Sequence, residues 1–229
     1  MDNITESSSA PGQKKGKWRE LFIDKFIDLV MVILGIYIAF QIDKWKDASD
    51  QRALEKYYFQ SITSDLDKDV AEYERHLQGM HADAALAQRY LSKTSAKGPD
   101  SLGYVVVNML SFETFTGNRN TYLTLLSGNG LNVIQDRRIH TLLTEYYNLY
   151  SSLERFDKVY TDLIYKANDY FIQDINYSTM MVSGSRLNSI ATTNYLFVIT
   201  NELLQGIEDY EEVLARAQRL RERIAEYLK

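Results

Sequence analysis

The sequence contains no cysteine, and it is poor in proline and glycine. With 2 Pro and 11 Gly among 229 residues, it favours long helices over a β fold. The lack of cysteine excludes disulfides, thiol catalysis and metal sites built from thiolates. An oxidising compartment and the cytosol both tolerate this absence, so it does not indicate where the protein resides.

The signatures of enzyme chemistry are also missing. The three histidines, His76, His81 and His140, do not have the spacing of a zinc site. No nucleophile elbow, phosphate-binding loop or dinucleotide-binding glycine motif occurs in the sequence. With 26 basic against 31 acidic residues the net charge is −5, and no basic face for nucleic acid develops. We therefore expect no enzymatic activity, no cofactor, no metal and no nucleic-acid partner.

The sequence does contain one long apolar segment near its N-terminus. Residues 29–40 are an unbroken apolar run within the mostly apolar stretch 26–42. Trp18 and Trp45 flank this stretch, and along a helix they are separated by about 40 Å, close to a bilayer with its headgroups. Tryptophan prefers that interfacial layer. The pattern predicts one transmembrane helix with Trp18 and Trp45 as its interface anchors.

The flanks of this segment predict how the chain is organised about the membrane. No small-residue cleavage site follows the apolar run, so we expect an uncleaved signal anchor. Slightly more basic residues precede the run than follow it, which favours a cytoplasmic N-terminus. We predict a disordered cytoplasmic tail over residues 1–16, a transmembrane signal-anchor helix over 17–46, and an extracytoplasmic helical bundle over 47–229.

The bundle is predicted to contain three long amphipathic helices. The first continues from the membrane segment to a turn at 96–103, the second covers 136–175 and the third covers 193–229. The predicted buried stripe of the first helix follows steps of three and four residues: Leu54, Tyr58, Ile62, Leu66, Val70, Tyr73, Leu77, Met80, Ala84, Ala87 and Leu91. Similar seams run along the other two helices, ending at Tyr170 and Tyr227.

The fold class that follows is all-α, with one transmembrane helix continuing into an antiparallel bundle of three long helices plus short helices. We expect the first long helix to rise from the membrane, the second to return and the third to rise again, which places the 176–189 connection near the bilayer. A helical bundle can use tyrosine, of which the sequence has 17, as a large apolar wedge whose hydroxyl reaches the rim, and the tyrosine-rich seams are predicted to be core. Asp65, Asp69, Glu72 and His76 share one stripe, which we interpret as a solvated charged face rather than a carboxylate metal site.

Asp28 is the sharpest candidate for a functional side chain, because it falls inside the predicted span. A lone carboxylate there is costly, so it must be neutral, paired or directed at a polar path. Gly35 and Ala39 lie within about 20° of it on the helix, and such small residues are typical of helix–helix contacts in lipid. In one interpretation Asp28 titrates at an interface with a second membrane subunit. In the other, Lys25 pairs with Asp28 while its ammonium reaches towards the headgroups.

Two stretches of the sequence carry a family likeness. The first is GIYIAFQIDKWKD followed by LEKYYFQSITSDLDKDV, and the second is TYLTLLSGNGLNVIQDRRIHTLLTEYY at 121–147. Both resemble one uncharacterised family of bacterial single-pass membrane proteins with a helical outer domain. The resemblance covers most of residues 26–175 and implies no established activity. It implies a bacterial inner-membrane location with a periplasmic C-terminal domain.

A shorter stretch, FIDLVMVILGIYIAF, resembles the single helix of TolR- and ExbD-type stator subunits. There an aspartate couples proton flow to the motion of a polytopic partner, and that role would fall on Asp28 alone. The outer domains of those subunits are α/β, whereas this chain is predicted to be all-helical.

Two functions follow from these observations. The first is a membrane-anchored helical interaction or scaffold protein whose partners are the lipid bilayer and either further copies of itself or another membrane protein. The alternative is a proton-coupled subunit of a membrane complex that uses Asp28 with a polytopic partner.

Overall fold

The computed structural model describes residues 13–92, 99–128, 130–179, 181–182 and 189–229, and for 13–21, 99–101 and 182 it describes the backbone alone. The elements are α1 (Gln13–Ser92), α2 (Pro99–Leu110), α3 (Asn120–Ser127), a 3-10 turn (Gly130–Val133), α4 (Arg137–Phe171), β1 (Ile175–Asn176), β2 (Met181–Val182) and α5 (Ile190–Tyr227). The two short strands form one antiparallel hairpin. The predicted all-α class is confirmed.

The chain divides into two compact units, Met1–Ala53 and Leu54–Lys229. In the first unit α1 begins at Gln13, before the predicted end of the tail at residue 16. Residues 1–12 of that tail lie outside the described part of the chain. The second unit is a helical bundle, and it begins at Leu54.

Within the bundle, α4 runs in the same direction as α1. The Tyr146 hydroxyl in α4 donates to Asp69 in α1. Further along both helices, the Asp83 carboxylate in α1 interacts electrostatically with Tyr160 in α4. Helix α5 runs the opposite way, because Tyr227 at its end bonds Glu55 near the start of the bundle. The expectation that the second long helix returns is therefore wrong, and the β1–β2 hairpin that follows α4 lies at the opposite end of the bundle from Glu55.

The return pass is made by the described residues between α1 and α4, 99–128 and 130–136, which run along the length of the bundle; we call them the broken leg. The end of α2 lies beside α4, where the ring of Phe112 packs edge-on against Tyr160 at 4.6 Å. Further along, Thr121 at the start of α3 bonds Asp65, and Gln135 bonds Glu55. The chain thus makes four passes, the second of them broken, and this extra pass reverses the expected direction of α4.

Helices α4 and α5 begin where polar side chains cap their first turns. Asp136 accepts hydrogen bonds from the backbone N–H groups of Arg138 and Ile139, and Ser189 accepts one from Thr192. Such caps satisfy donors that have no partner inside the helix. The predicted starts at residues 136 and 193 lie close to these observed caps.

The core is one continuous cluster that contains a large share of tyrosine. The phenol rings of Tyr73, Tyr146, Tyr160 and Tyr210 are almost completely buried, which confirms the interpretation of the tyrosine-rich seams as core. The predicted stripes hold along most of α1 and α5. They differ at the end of the bundle near Glu55, where Leu54 and Tyr227 are exposed. There Phe59 and the carboxylate of Glu55 take the buried positions.

Gly206 in α5 permits the close approach of the Phe156 ring from α4. A Cβ atom built at this position would collide with the ring of Phe156. Phe156 in turn packs against Tyr160 and Tyr210, so its ring has little freedom to move aside. By contrast, a Cβ at Gly79 in α1 would meet no atom within 4 Å.

We expect Gly206→Ala to lower the free energy of unfolding by about 1–3 kcal/mol, the usual cost of an overpacked core. The matched variant Gly79→Ala should raise it by about 0.5–1 kcal/mol, because alanine replaces glycine inside a helix without a clash. Urea unfolding of the full chain in detergent, followed by circular dichroism, measures both. Equal stability of Gly206→Ala and the wild type would contradict the close approach.

Candidate functional site

The first candidate site is the apolar segment of α1. The helix is long and apolar enough to cross a membrane, and in its most apolar 18-residue window no side chain is buried. The large apolar side chains exposed along this segment are Phe22, Ile23, Phe26, Ile27, Leu29, Val30, Met31, Val32, Ile33, Leu34, Ile36, Tyr37, Ile38, Phe40 and Ile42. Since each costs about 1.5–3 kcal/mol to leave in water, this surface requires an apolar environment.

Asp28 makes an ion pair with Lys25, one helical turn away. The Lys25 ammonium lies 3.7 Å from the Asp28 carboxylate, and both side chains are largely exposed on the helix. This contact is the one required by the second interpretation of Asp28, in which the charge is paired.

The small-residue face near Asp28 is open. A Cβ atom added at Gly35 would meet nothing within 4 Å, and the side chain of Ala39 is exposed. Trp45 is 76% exposed, and Lys44 beside it lies over the Phe40 ring at 4.6 Å. Trp18 lies outside the residues whose side chains are described.

The second candidate site is a set of buried carboxylates that bind the broken return leg of the bundle. Asp157 in α4 is 5% exposed, and its two oxygens have different partners. One accepts from the backbone N–H of Phe115 at 3.1 Å, and the other from the Tyr210 hydroxyl at 2.9 Å. Burial raises the pKa of Asp157 to about 6, although both hydrogen bonds act to lower it.

Asp69 in α1 binds the next part of the broken leg in the same way, by accepting hydrogen bonds. It accepts from the backbone N–H of Asn118 at 2.9 Å, from the Asn118 amide at 3.0 Å and from the Tyr146 hydroxyl at 2.8 Å. Burial raises the pKa of this carboxyl, and the three hydrogen bonds oppose that rise. Tyr146 also lies 3.2 Å from the hydroxyl of Tyr73, which extends the buried polar chain across α1.

The interpretation of this stripe as a solvated charged face is wrong for Asp69 and His76. Asp69 is 1% exposed, and the ring of His76 is buried between Phe115 and Tyr210. Burial lowers the pKa of His76, with the neighbouring Arg75 guanidinium as a second cause. Glu72 is exposed as expected, and Asp65 is half-buried, accepting from the Thr121 hydroxyl.

Glu55 is a third buried carboxylate that sequence reasoning missed. It is 1% exposed and accepts from the backbone N–H of Gln135 at 2.7 Å and from the Tyr227 hydroxyl at 2.8 Å. It therefore joins α1, the segment just before α4 and the end of α5 at one end of the bundle. A signal was present in the sequence, because Glu55, Asp69 and Asp157 lie beside or between apolar seam positions at helical spacing.

These carboxylates perform a structural task. Each accepts hydrogen bonds from a backbone N–H and a phenol, and these bonds hold the segment between α1 and α4 against the long helices. In the described part of the chain no group of three or more His, Asp or Glu side chains could hold a metal ion. The geometry supports positioning of the backbone, with the apolar segment as the surface available for interaction.

We expect the stability of the bundle to rise on mild acidification through Asp157. Its folded pKa of about 6 exceeds the unfolded value near 4, so the folded state binds more protons between them and is favoured as pH falls. Relative to Asp157→Asn, the wild-type free energy of unfolding should increase by about 1 kcal/mol from about pH 7 to about pH 5. Urea unfolding of both chains at each pH measures this difference. Parallel pH profiles for the two chains would show that the carboxyl of Asp157 is not perturbed.

Comparison with known proteins adds no relative of this chain. No protein-family model matches the sequence, no curated protein matches it, and no solved structure matches the fold. The two resemblances described above remain predictions. The function therefore has to be inferred from the residues and contacts of the chain itself.

Proposed function

We propose that this chain is a single-pass membrane-anchored helical scaffold, which acts by association rather than by catalysis. The observation that carries the proposal is the fully exposed apolar surface of α1 between Phe22 and Ile42. We place the N-terminus in the cytoplasm and the bundle in the periplasm, with the protein in a bacterial inner membrane. The partners are the lipid bilayer and a second copy of this chain or another membrane protein.

The contrast between the two units supports an anchoring role. In the bundle, apolar residues form a dense core, and buried polar groups such as Asp69 and Asp157 are bonded. In the first unit, apolar side chains are exposed around the whole circumference of the helix. A helix that is apolar on all sides is typical of a membrane span rather than of a surface helix.

Asp28 as a proton-coupling carboxylate remains the alternative. Its ion pair with Lys25 supports the first proposal instead, because it gives the carboxylate a structural partner on the same helix. A paired carboxylate next to the interface can be retained in a span without any transport role.

Membrane fractionation tests the anchor directly. We expect the full chain to sediment with membranes and to be released only by detergent. Changing Leu34 and Ile38 to lysine should move it into the soluble fraction, because each lysine near the centre of a span costs about 3 kcal/mol. The matched control changes Leu54 and Leu123, which are similarly exposed in the bundle unit, to lysine. Wild-type protein in the supernatant, or equal effects of both pairs, would refute the anchor.

Self-association through the small-residue face has its own test. We expect Gly35→Leu to reduce the oligomer fraction of the full chain in detergent by about tenfold, because a large side chain separates helices that pack through glycine. Ile33→Leu, about 200° away around the helix, is the matched control and should leave the oligomer intact. Light scattering after size exclusion gives the masses, and an unchanged mass for Gly35→Leu would rule out this face.

A further inference from the structure

A cleft that takes no part in the proposed anchor opens between α1 and residues 111–113 of the broken leg, just after α2. Its volume is about 230 Å³, and it is lined by Arg75, His76, Gly79, Met80, Asp83, Ser111, Phe112 and Glu113. Gly79 leaves space on the α1 side, since a Cβ there would meet no atom within 4 Å. The cleft therefore combines an open floor with an apolar wall of Met80 and the Phe112 ring.

Asp83 is the distinctive group in this cleft. It is half-buried, and no described residue makes a hydrogen bond or ion pair with it. Burial raises the pKa of Asp83 to about 6, with no hydrogen bond to oppose the rise. This separates it from Asp69 and Asp157, whose oxygens are occupied by donors from the protein. At neutral pH Asp83 is a partly desolvated negative charge without a counter-ion among the described residues.

The other charged groups of the cleft do not neutralise Asp83. The Arg75 guanidinium is engaged by two other carboxylates, Glu72 at 2.8 Å and Glu113 at 3.2 Å. It also lies 3.4 Å from Nε2 of His76, and burial followed by the Arg75 charge lowers the pKa of that imidazole. Among the residues that line the cleft, Asp83 and Glu113 are acidic and Arg75 is basic, and Arg75 is already paired with Glu113 and with Glu72, so the lining carries an excess of negative charge.

The backbone beside the cleft adds partial negative charge to that of the side chains. Helix α2 ends at Leu110, and Ser111, the next residue, lines the cleft. The C-terminal end of a helix carries partial negative charge and favours a cation nearby. An aromatic ring such as that of Phe112 also attracts a cation through its face. The Asp83 carboxylate, the C-terminal end of α2 and the Phe112 ring all favour a positively charged ligand.

We propose that this cleft binds a primary ammonium group carried on a short alkyl chain. The Asp83 carboxylate is its counter-ion, and the alkyl chain lies along Met80 and Phe112 over the open position of Gly79. A free alkylamine and a lysine side chain of another protein present the same chemistry. The proposal does not depend on the membrane anchor, because all the residues involved belong to the bundle unit.

The test is calorimetric titration of the full chain in detergent with n-butylammonium. We expect saturable binding that is at least about tenfold weaker for Asp83→Asn, which removes the charge, and for Gly79→Leu, which fills the floor. Asp169→Asn, an exposed carboxylate on α4 outside the cleft, is the matched control and should bind like the wild type. Circular dichroism of each variant verifies that the helices are retained.

Two further titrations identify the ligand chemistry and its source. Binding of n-butanol as tight as that of n-butylammonium would overturn the role of charge. No saturable binding of the amine to the wild type, or equal binding to Asp83→Asn, would overturn the site. A blocked lysine amide that binds at least as tightly as the free amine would identify a protein side chain as the ligand. Preference for the free amine would identify a small molecule.

Discussion

The bundle depends on hydrogen bonds that the backbone N–H groups of the broken leg donate to buried carboxylates. Asp157 and Asp69 accept from the N–H groups of Phe115 and Asn118, and Tyr150 accepts from Gly117 between them at 2.6 Å. An irregular segment in a core would otherwise bury donors without partners, at about 1–3 kcal/mol each. These contacts permit a second pass that is not a continuous helix. That pass sets the directions of α4 and α5.

The high tyrosine content of the chain follows from the need to provide these buried carboxylates with hydrogen-bond donors. A buried carboxylate needs donors that are themselves compatible with an apolar core, and a phenol provides a large ring together with one O–H group. Tyr146 and Tyr210 donate to Asp69 and Asp157, and burial raises the pKa of both phenols, so they remain protonated. The rings fill the space between helices while the hydroxyls satisfy the charges. Burying a charge in this way is costly, and it is tolerated only because every oxygen is bonded.

Sequence periodicity predicted the parts of the fold that depend on local spacing. The seam of α5 from Leu196 to Ile224 is buried as expected, because one face of a regular helix repeats at fixed intervals. The direction of α4 was not predictable in this way. It depends on residues 111–119, which have no helical repeat and are held by Asp69 and Asp157 from distant parts of the chain. For the same reason a stripe containing Asp69 looked solvated, since its partners cannot be seen in the local sequence.

The even number of passes also determines how the bundle responds to tension. Because α5 ends beside Glu55, the first and last turns of the bundle unit lie at the same end, joined by the bond from Tyr227 to Glu55. A force applied between Leu54 and Tyr227 would load this bond first and then the next contacts in turn. The helices would separate one contact at a time from this end, instead of all contacts being sheared together. Glu55 and Phe59, which both contact Tyr227, therefore lie where such a force would act first.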